Sequence, residues 1–511
     1  MPAAIIAFGA ASALGVGQAA FDVGGPGATP PNVWSSRLPG KPFGRVRACD
    51  AARAERPRAL LELGLDQIVA QLDRRDASWR EQRVGVVIGT SSGGFAALER
   101  VLQAPEADAP NWAQSAYFAP LAEVAVKLGR EPQRLVSLYA ACASSALAIG
   151  LGLRWLELDH ADLVIAGGYD AESDWVCAGF DALKATTSGQ PRPFRAERDG
   201  MALGEGVGLL ALTREAETAY GFVRGFAATT DAVHITAPDR TGQSLARAAA
   251  QALREAHLAP ADIDFVSVHG TGTAFNDAAE GAALRLVFAE RAAALQLHAF
   301  KTVVGHTLGA AAALEALAAC SALQNQVLPA SAGAGTPMPE LPACLPSQNQ
   351  PRPVEHCLKL STAFGGANAA LVLARSAPPS ATRARRPVYL VALGSPCVEL
   401  DVQRLQGVLV APPERLPRSD LLSALAVAAS AEALRVAAQA GCDHDRARTG
   451  VVVGSVGASL QANAEFAARI LTRGREHAEP RRFPGTSPNA AAGHVAIAFG
   501  LGVRRLSLIH I

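Results

Sequence analysis

The chain has 511 residues, half of them hydrophobic and only 18% charged, with a formal net charge of +1. That balance leaves room for a large buried core and excludes a general nucleic-acid or polyanion binder, whose affinity needs an excess of basic side chains. The eight cysteines are scattered without a CxxC pair or a Cys/His metal spacing, which fits reduced thiols in a cytoplasmic protein and argues against a metal site.

The start, MPAAIIAFGAASALG (1–15), is apolar but has no positively charged leader. No stretch approaches about 18 uninterrupted apolar residues, so a buried strand and turn is expected there and no membrane association. RVGVVIGTSSGG (83–94) predicts a strand ending in a Gly/Ser turn, and LVSLYAAC (135–142) predicts another. ASSALAIGLGLRWLEL (143–158) is apolar on nearly every face and predicts a central, buried helix. ADLVIAGG (161–168) and GVGLLALT (206–213) predict further buried strands. After Arg214 the pattern starts again, with helices at 244–258, 276–290 and 308–323 alternating with strands at 262–270 and 298–305. The reading is an α/β chain in two consecutive halves, 1–214 and 215–375, with sheets covered on both faces.

SAPPSATRARRP (376–387) is a Pro- and Arg-rich break and a linker. Residues 388–511 then read as a partial repeat of the first half. PVYLVALGS (387–395) is similar to AAIIAFGAAS (3–12), and RTGVVVGSVGASL (448–460) to RVGVVIGTSSGGF (83–95). With Gly129 aligned on Gly500, the counterpart of Cys142 falls two positions beyond Ile511, so this copy is expected to be non-catalytic. Its last residues, LSLIHI (506–511), are also what a common transposase-adapter DNA end encodes in one frame, so an incomplete copy is expected. A half domain with unpaired sheet edges should pack poorly.

Only five of the 47 basic residues are lysine, so each lysine merits attention. Cys142, at a strand-to-helix junction among small neighbours, is either a buried filler or a thiol placed at a helix N-terminus that favours the thiolate. His269 in VHGTGT and His306 in VVGHTLG each lie past the end of a predicted strand, where open α/β sheets build their sites. Singly, each is as well read as a satisfied interior histidine. Together with Cys142 they allow a covalent acyl intermediate and stabilisation of charge on a second substrate. Lys301, on the strand entering His306, and Glu315, on the helix leaving it, form either an ordinary ion pair or a support behind the imidazole. Phe364 precedes a Gly pair, where a backbone N–H is free to meet a ligand or merely turns a hairpin.

ACASSALAI, HGTGT, KTVVGH and FGGANAA, in that order, resemble the β-ketoacyl-acyl-carrier-protein synthases, the condensing enzymes of the thiolase superfamily. GFDALKATTSGQPRPFRAERDGMALGEGVGLLAL (179–212) is similar to the same family's middle, including synthases of aryl-polyene-type pathways. The resemblance implies a thiolase fold over residues 1–375, two similar halves in a layered αβαβα arrangement, followed by the incomplete repeat. It implies decarboxylative condensation of an acyl group on Cys142 with malonyl-acyl-carrier protein, in fatty acid, polyene or polyketide synthesis. His269 and His306 match the pair that promotes decarboxylation and stabilises the enolate, and Lys301 and Glu315 match the ion pair beside the second of them, His306. Thr271 and Thr273 match hydroxyls that bond the phosphopantetheine arm. The N–H groups of Cys142 and Phe364 match the oxyanion hole, with Phe364 the gate to the acyl pocket. No cofactor or metal is implied. The implied partners are acyl carrier protein and either a second copy or a chain-length factor. Ala312 and Thr362 depart from the family's usual Gly and Phe, so chain length does not carry over. A CoA-dependent thiolase is disfavoured because FGGANAA lacks a second cysteine. A non-catalytic chain-length-factor-like role is disfavoured for residues 1–375 because Cys142, His269 and His306 are all present.

Overall fold

A computed structural model describes the chain apart from residues 32, 39–40, 104–111, 341–343, 378–388, 394–408, 411–419, 443–444, 447–448, 456–458, 503–505 and 511. The expected linker therefore lies, from residue 378 onward, outside the described residues, as does part of the expected repeat.

The first half contributes strands β1 (Ala3–Ser12), β2 (Val84–Gly89), β3 (Arg134–Tyr139), β4 (Leu163–Asp170) and β5 (Gly206–Thr213). The second contributes β6 (Gly221–Thr230), β7 (Phe265–Ser267), β8 (Leu297–His298), β9 (His356–Thr362) and β10 (Ala367–Ala374). Hydrogen bonding orders them β8-β7-β9-β10-β6 and β1-β5-β4-β2-β3, joined where β1 pairs antiparallel with β6. Counted from its own first strand, each half runs first, fifth, fourth, second, third. This identity of topology makes the halves equivalent.

The strands are nearly continuous runs of Val, Leu, Ile and Ala, as a sheet buried on both faces requires. Helix α1 (Arg56–Arg75) covers β1 from outside. Helix α2 (Ser144–Glu157) is buried along almost its whole length against β2 and β4 of its own half and β10 of the other. Helices α3 (Gln243–Glu255) and α4 (Ala274–Phe288) cover the second half. The short turn α5 (Lys301–Val304) leads to α6 (Ala311–Asn325), which packs against α2. The result is the thiolase-type layering, with α2 and α6 as its central pair.

Two sequence expectations change. β6 is a strand where the sequence pattern assigns no element, because Arg224 and a bulge between Val223 and Gly225 interrupt its apolar pattern. The strand expected at 298–305 stops after His298, since its partner β7 is only three residues long. Lys301 consequently stands on α5 rather than on a strand.

The C-terminal segment carries α7 (Leu421–Gln439), β11 (Val451–Gly454), α8 (Leu460–Arg473), α9 (Ala490–Phe499) and β12 (Leu506–His510). It is packed on the body, contrary to the expectation of poor packing. β12 pairs antiparallel with the outer edge of β3, and β11 pairs parallel with β12. Residues 389–393, expected to resemble β1, take no strand, because no described strand is paired with them. α7 is apolar and long enough to cross a bilayer by length and composition alone, yet it packs on α9 through Val427 and Ala431.

A buried ion pair fixes the first half beneath the functional site. Arg56 donates from Nε to Glu205 at 3.0 Å and from its terminal nitrogens to Glu205 and to the carbonyls of Val46 and Cys49. Glu205 directly follows Gly204, whose N–H donates to the His306 carbonyl. Removing one partner of a buried pair leaves an uncompensated charge. Arg56→Met is therefore expected to cost about 3–5 kcal/mol in denaturant unfolding. A loss below about 1 kcal/mol would contradict this reading.

Candidate functional site

Cys142 lies in the 3-10 turn Ala141–Ala143, between β3 and α2. Ala141 holds φ +46°, a left-handed conformation that a non-glycine residue keeps only where its surroundings impose it. Ser144 imposes it: its Oγ accepts from Ala140 N at 2.9 Å and donates to the Ala141 carbonyl at 2.6 Å. The end of β2 is close behind. A Cβ on Gly89 would stand 2.5 Å from the Ser144 carbonyl carbon, so this approach needs glycine. Burial pushes the Cys142 thiol up to about 12, against the opposing pull of Lys301. Burial thus works against the thiolate that a helix N-terminus favours.

His306 occupies the equivalent place in the second half, between its third strand and its central helix. Its Nδ1 accepts the Leu308 N–H at 3.3 Å, so the proton of the neutral ring sits on Nε2, which is buried without a protein partner. His269 follows β7. Its N–H and that of Gly270 both donate to Glu280, at 2.6 and 2.9 Å. Lys301 Nζ donates to His269 Nδ1 at 3.3 Å, which again leaves the ring proton on Nε2. Burial first, and then the charge of Lys301, hold both imidazoles well below the usual histidine range. The two rings meet edge to face, 5.4 Å between centres.

Lys301 is 3% exposed and Glu315 2%. Nζ donates to Glu315 Oε1 at 2.5 Å, so the expected pair forms, but Lys301 meets the ring of His269 rather than that of His306, because it stands on α5 and not on a strand entering His306. Glu315 Oε2 faces Lys359 Nζ at 2.7 Å. Lys359 is a fully buried lysine, 0% exposed, that reading of the motifs passed over. The scarcity of lysine in the chain was the only sequence signal that pointed to it.

Asp170, at the end of β4, accepts from Thr90 Oγ1, Ser91 N, Ser92 N and Ser92 Oγ, at 2.5–2.9 Å. It also accepts from Gly309 N in the His306 turn, at 2.6 Å. A Cβ on Gly309 would meet this carboxylate at 2.6 Å. Asp170 therefore ties the turn beside Cys142 to the turn that holds His306.

Cys142, His269, His306, Thr271, Thr273 and Phe364 all line one cavity of about 390 Å³. Thr271 Oγ1 and Thr273 Oγ1 lie 2.9 Å apart on its wall. Lys184, Arg198 and the exposed ring of Phe275, with the Arg240 guanidinium 5.0 Å from its centre, stand toward the mouth. Phe364 opens the turn Phe364–Gly366, where Gly365 takes φ +81°. Like Cys142, it stands in the first positions of a 3-10 turn, whose amides have no partner within the turn.

Behind Cys142 a pocket of only about 30 Å³ is shared with the C-terminal segment. Phe483 packs edge-on to Phe180 at 5.0 Å and to Phe364 at 6.3 Å. Asn489 Nδ2 donates to the Phe364 carbonyl at 2.7 Å. Tyr117 Oη donates to the Thr486 carbonyl at 3.1 Å and accepts from Asn463.

A thiol held near 12 alkylates in proportion to its small thiolate fraction. Iodoacetamide labelling of Cys142, followed by peptide mass spectrometry, is expected to speed up about tenfold per pH unit from neutrality with no plateau below about pH 9. A plateau near neutrality would overturn this electrostatic picture.

The family model for the beta-ketoacyl synthase N-terminal domain matches residues 43–218 and again 404–506, and that for the C-terminal domain matches 220–334. The tetracenomycin polyketide synthase ketoacyl synthase alpha subunit of Streptomyces glaucescens is 33% identical over 352 residues, covering 64% of this chain and 79% of its own. The 3-oxoacyl-[acyl-carrier-protein] synthase 2 of Rhizobium meliloti is 33% identical over 341 residues, covering 60% and 79%. The solved ketosynthase ApeO in complex with its chain length factor ApeC, from Xenorhabdus doucetiae, is 30% identical with a TM-score of 0.62, covering 73% of this chain and 97% of that one. The Cys142 and His306 turns, set at equivalent points of two matching halves, and the His269 turn beside them thus belong to a chain that is a member of the beta-ketoacyl synthase family of condensing enzymes.

Proposed function

We propose that residues 1–375 catalyse decarboxylative condensation of an acyl group on Cys142 with malonyl-acyl-carrier protein, giving 3-oxoacyl-carrier protein and carbon dioxide. The observation that carries this reading is the convergence of two neutral imidazoles on the Cys142 cavity, each with its proton held on Nε2. Cys142 sulfur attacks the acyl thioester carbonyl, and its proton leaves with the departing phosphopantetheine thiol. Loss of carbon dioxide from the malonyl group sends its electron pair into the thioester carbonyl, and the enolate oxygen accepts from the Nε2–H groups of His269 and His306. The enolate carbon then attacks the acyl-Cys142 carbonyl. The tetrahedral oxyanion accepts from the N–H groups of Cys142 and Phe364, and collapse expels the Cys142 thiolate. The hydroxyls of Thr271 and Thr273 meet the phosphopantetheine arm on the cavity wall. The carbanion arises by decarboxylation, so the reaction calls on no cofactor.

Carrier protein docks at the mouth, where Lys184, Arg198 and Arg240 offer cationic groups to an acidic partner. The C-terminal segment takes the place of a chain-length factor in cis. Its Phe483 closes the floor of the acyl pocket, and its Asn489 holds the turn that carries Phe364. The narrow space behind Cys142 favours short acyl groups in this conformation.

Cys142→Ala is expected to lower condensation, followed as 3-oxoacyl-carrier protein and released carbon dioxide, by about three orders of magnitude or more. Condensation that survives the change would overturn the assignment. Phe483→Ala is expected to shift preference toward longer acyl chains by about tenfold or more in kcat/KM, the worth of added methylene room. An unchanged profile over a ladder of acyl-carrier proteins would remove the C-terminal segment from the pocket floor.

A further inference from the structure

We propose that Lys359 is a positioning residue that neutralises the second oxygen of Glu315, so that Lys301 stays free to hold the His269 ring. This rests on the condensation reading above. Lys359 lies on β9 opposite Ser267 of β7 in parallel register, two residues before His269. Lys359 is fully buried, and a buried ammonium is costly without a charged partner. That partner is Glu315, and the contacts form one chain: Lys359 Nζ to Oε2 at 2.7 Å, Oε1 to Lys301 Nζ at 2.5 Å, and Lys301 Nζ to His269 Nδ1 at 3.3 Å.

Lys359 reaches Oε2 as a charge contact rather than an aligned hydrogen bond, and no other group satisfies that oxygen among the described residues. If Lys359 is removed, Oε2 becomes a buried, unpaired anionic atom. The nearest cation is Lys301, which would turn to cover both oxygens and release His269 Nδ1. With two lysines to one glutamate the cluster instead keeps one positive charge behind both imidazoles. That charge opposes protonation of His269 and His306 and favours negative charge on the enolate oxygen.

Of the other ionisable groups facing this cluster, Glu280 offsets the surplus only as pH rises through its raised range. Glu280 of α4 is spent on the His269 and Gly270 amides, and burial raises its carboxyl to about 7. His298 of β8 is kept neutral by burial down to about pH 4. Cys357 on β9 itself is an uncharged thiol, raised by burial, and Cys142 across the cavity is likewise protonated at rest. Burial lowers Lys359 itself, and Glu315 is the first charge that counters this.

The test compares full-length wild type, Lys359→Met and the double variant Lys359→Met/Glu315→Gln, reading malonyl-carrier-protein decarboxylation against pH. Lys359→Met is expected to lower kcat about tenfold, the worth of one hydrogen bond to a charged group, with KM held within about twofold. Its acid limb should move to higher pH, because a less positive surrounding lets the imidazoles protonate more readily. The double variant removes the unpaired carboxylate charge and leaves Lys301 on His269, so it should recover rate and acid limb toward wild type. A merely structural role for Lys359 predicts no such recovery. Lys359→Met with the wild-type rate and pH profile, or a double variant no better than the single or unable to fold, would overturn the proposal. A wild type that neither condenses nor decarboxylates would instead sink the condensation reading itself.

Discussion

The buried carboxylate of Asp170 is the joint on which the site depends. One half of the body carries Cys142 and the other carries both histidines, so bringing them to one cavity needs the two halves held in fixed register. Pairing of β1 with β6 joins them at the far edge of each half, but it acts at a distance from the cavity. Asp170 acts at the cavity itself, gathering the Thr90–Ser92 turn of the first half and Gly309 of the second onto one pair of oxygens. Five donors on a carboxylate in a dry interior make a rigid clamp, because releasing any of them leaves a polar group unsatisfied. Burial raises the Asp170 carboxyl, and those donors are what oppose it.

Matched topology explains why so few residues suffice. Cys142 and His306 occupy the same structural position, the turn between a third strand and a central helix, once in each half. Because α2 and α6 pack together, their preceding turns face each other without any further device. The same dryness then determines the charge states. It keeps Cys142 as a thiol and both imidazoles neutral, while each ring is oriented by a donor to Nδ1. A cavity set up in this way stabilises charge that appears during reaction rather than charge present at rest.

Much of this was legible in sequence because it is written in local patterns. Glycine-flanked turns at the ends of apolar runs locate Cys142, His269, His306 and Phe364, and the structure brings all four to one cavity. Local pattern failed where tertiary context decides. Lys301 follows an apolar run that looks like strand, but β7 is too short to pair beyond His298 and the chain turns into α5 instead. β6 hides because Arg224 and its bulge break the alternation, although the strand is stabilised by β10 along its length. Lys359 is the extreme case. Nothing near it in sequence explains a lysine in an apolar strand, and its carboxylate partner comes from a helix that only the fold brings alongside.

The C-terminal segment, a second match to the N-terminal domain, contributes side chains beside Cys142. Tyr117 and Thr486 lie 369 residues apart and share a hydrogen bond, and Phe483 fills the angle between Phe180 and Phe364. A Cβ on Gly179 would fall 2.2 Å from the Phe483 ring, so helix 174–182 is relieved of a side chain at the point where that ring enters. The first copy is thus cut to receive the second. A floor made by a separate segment can vary without disturbing Cys142, His269 or His306, which all belong to the body. That separation of the reacting groups from the residues that bound the space behind Cys142 lets the two be altered independently.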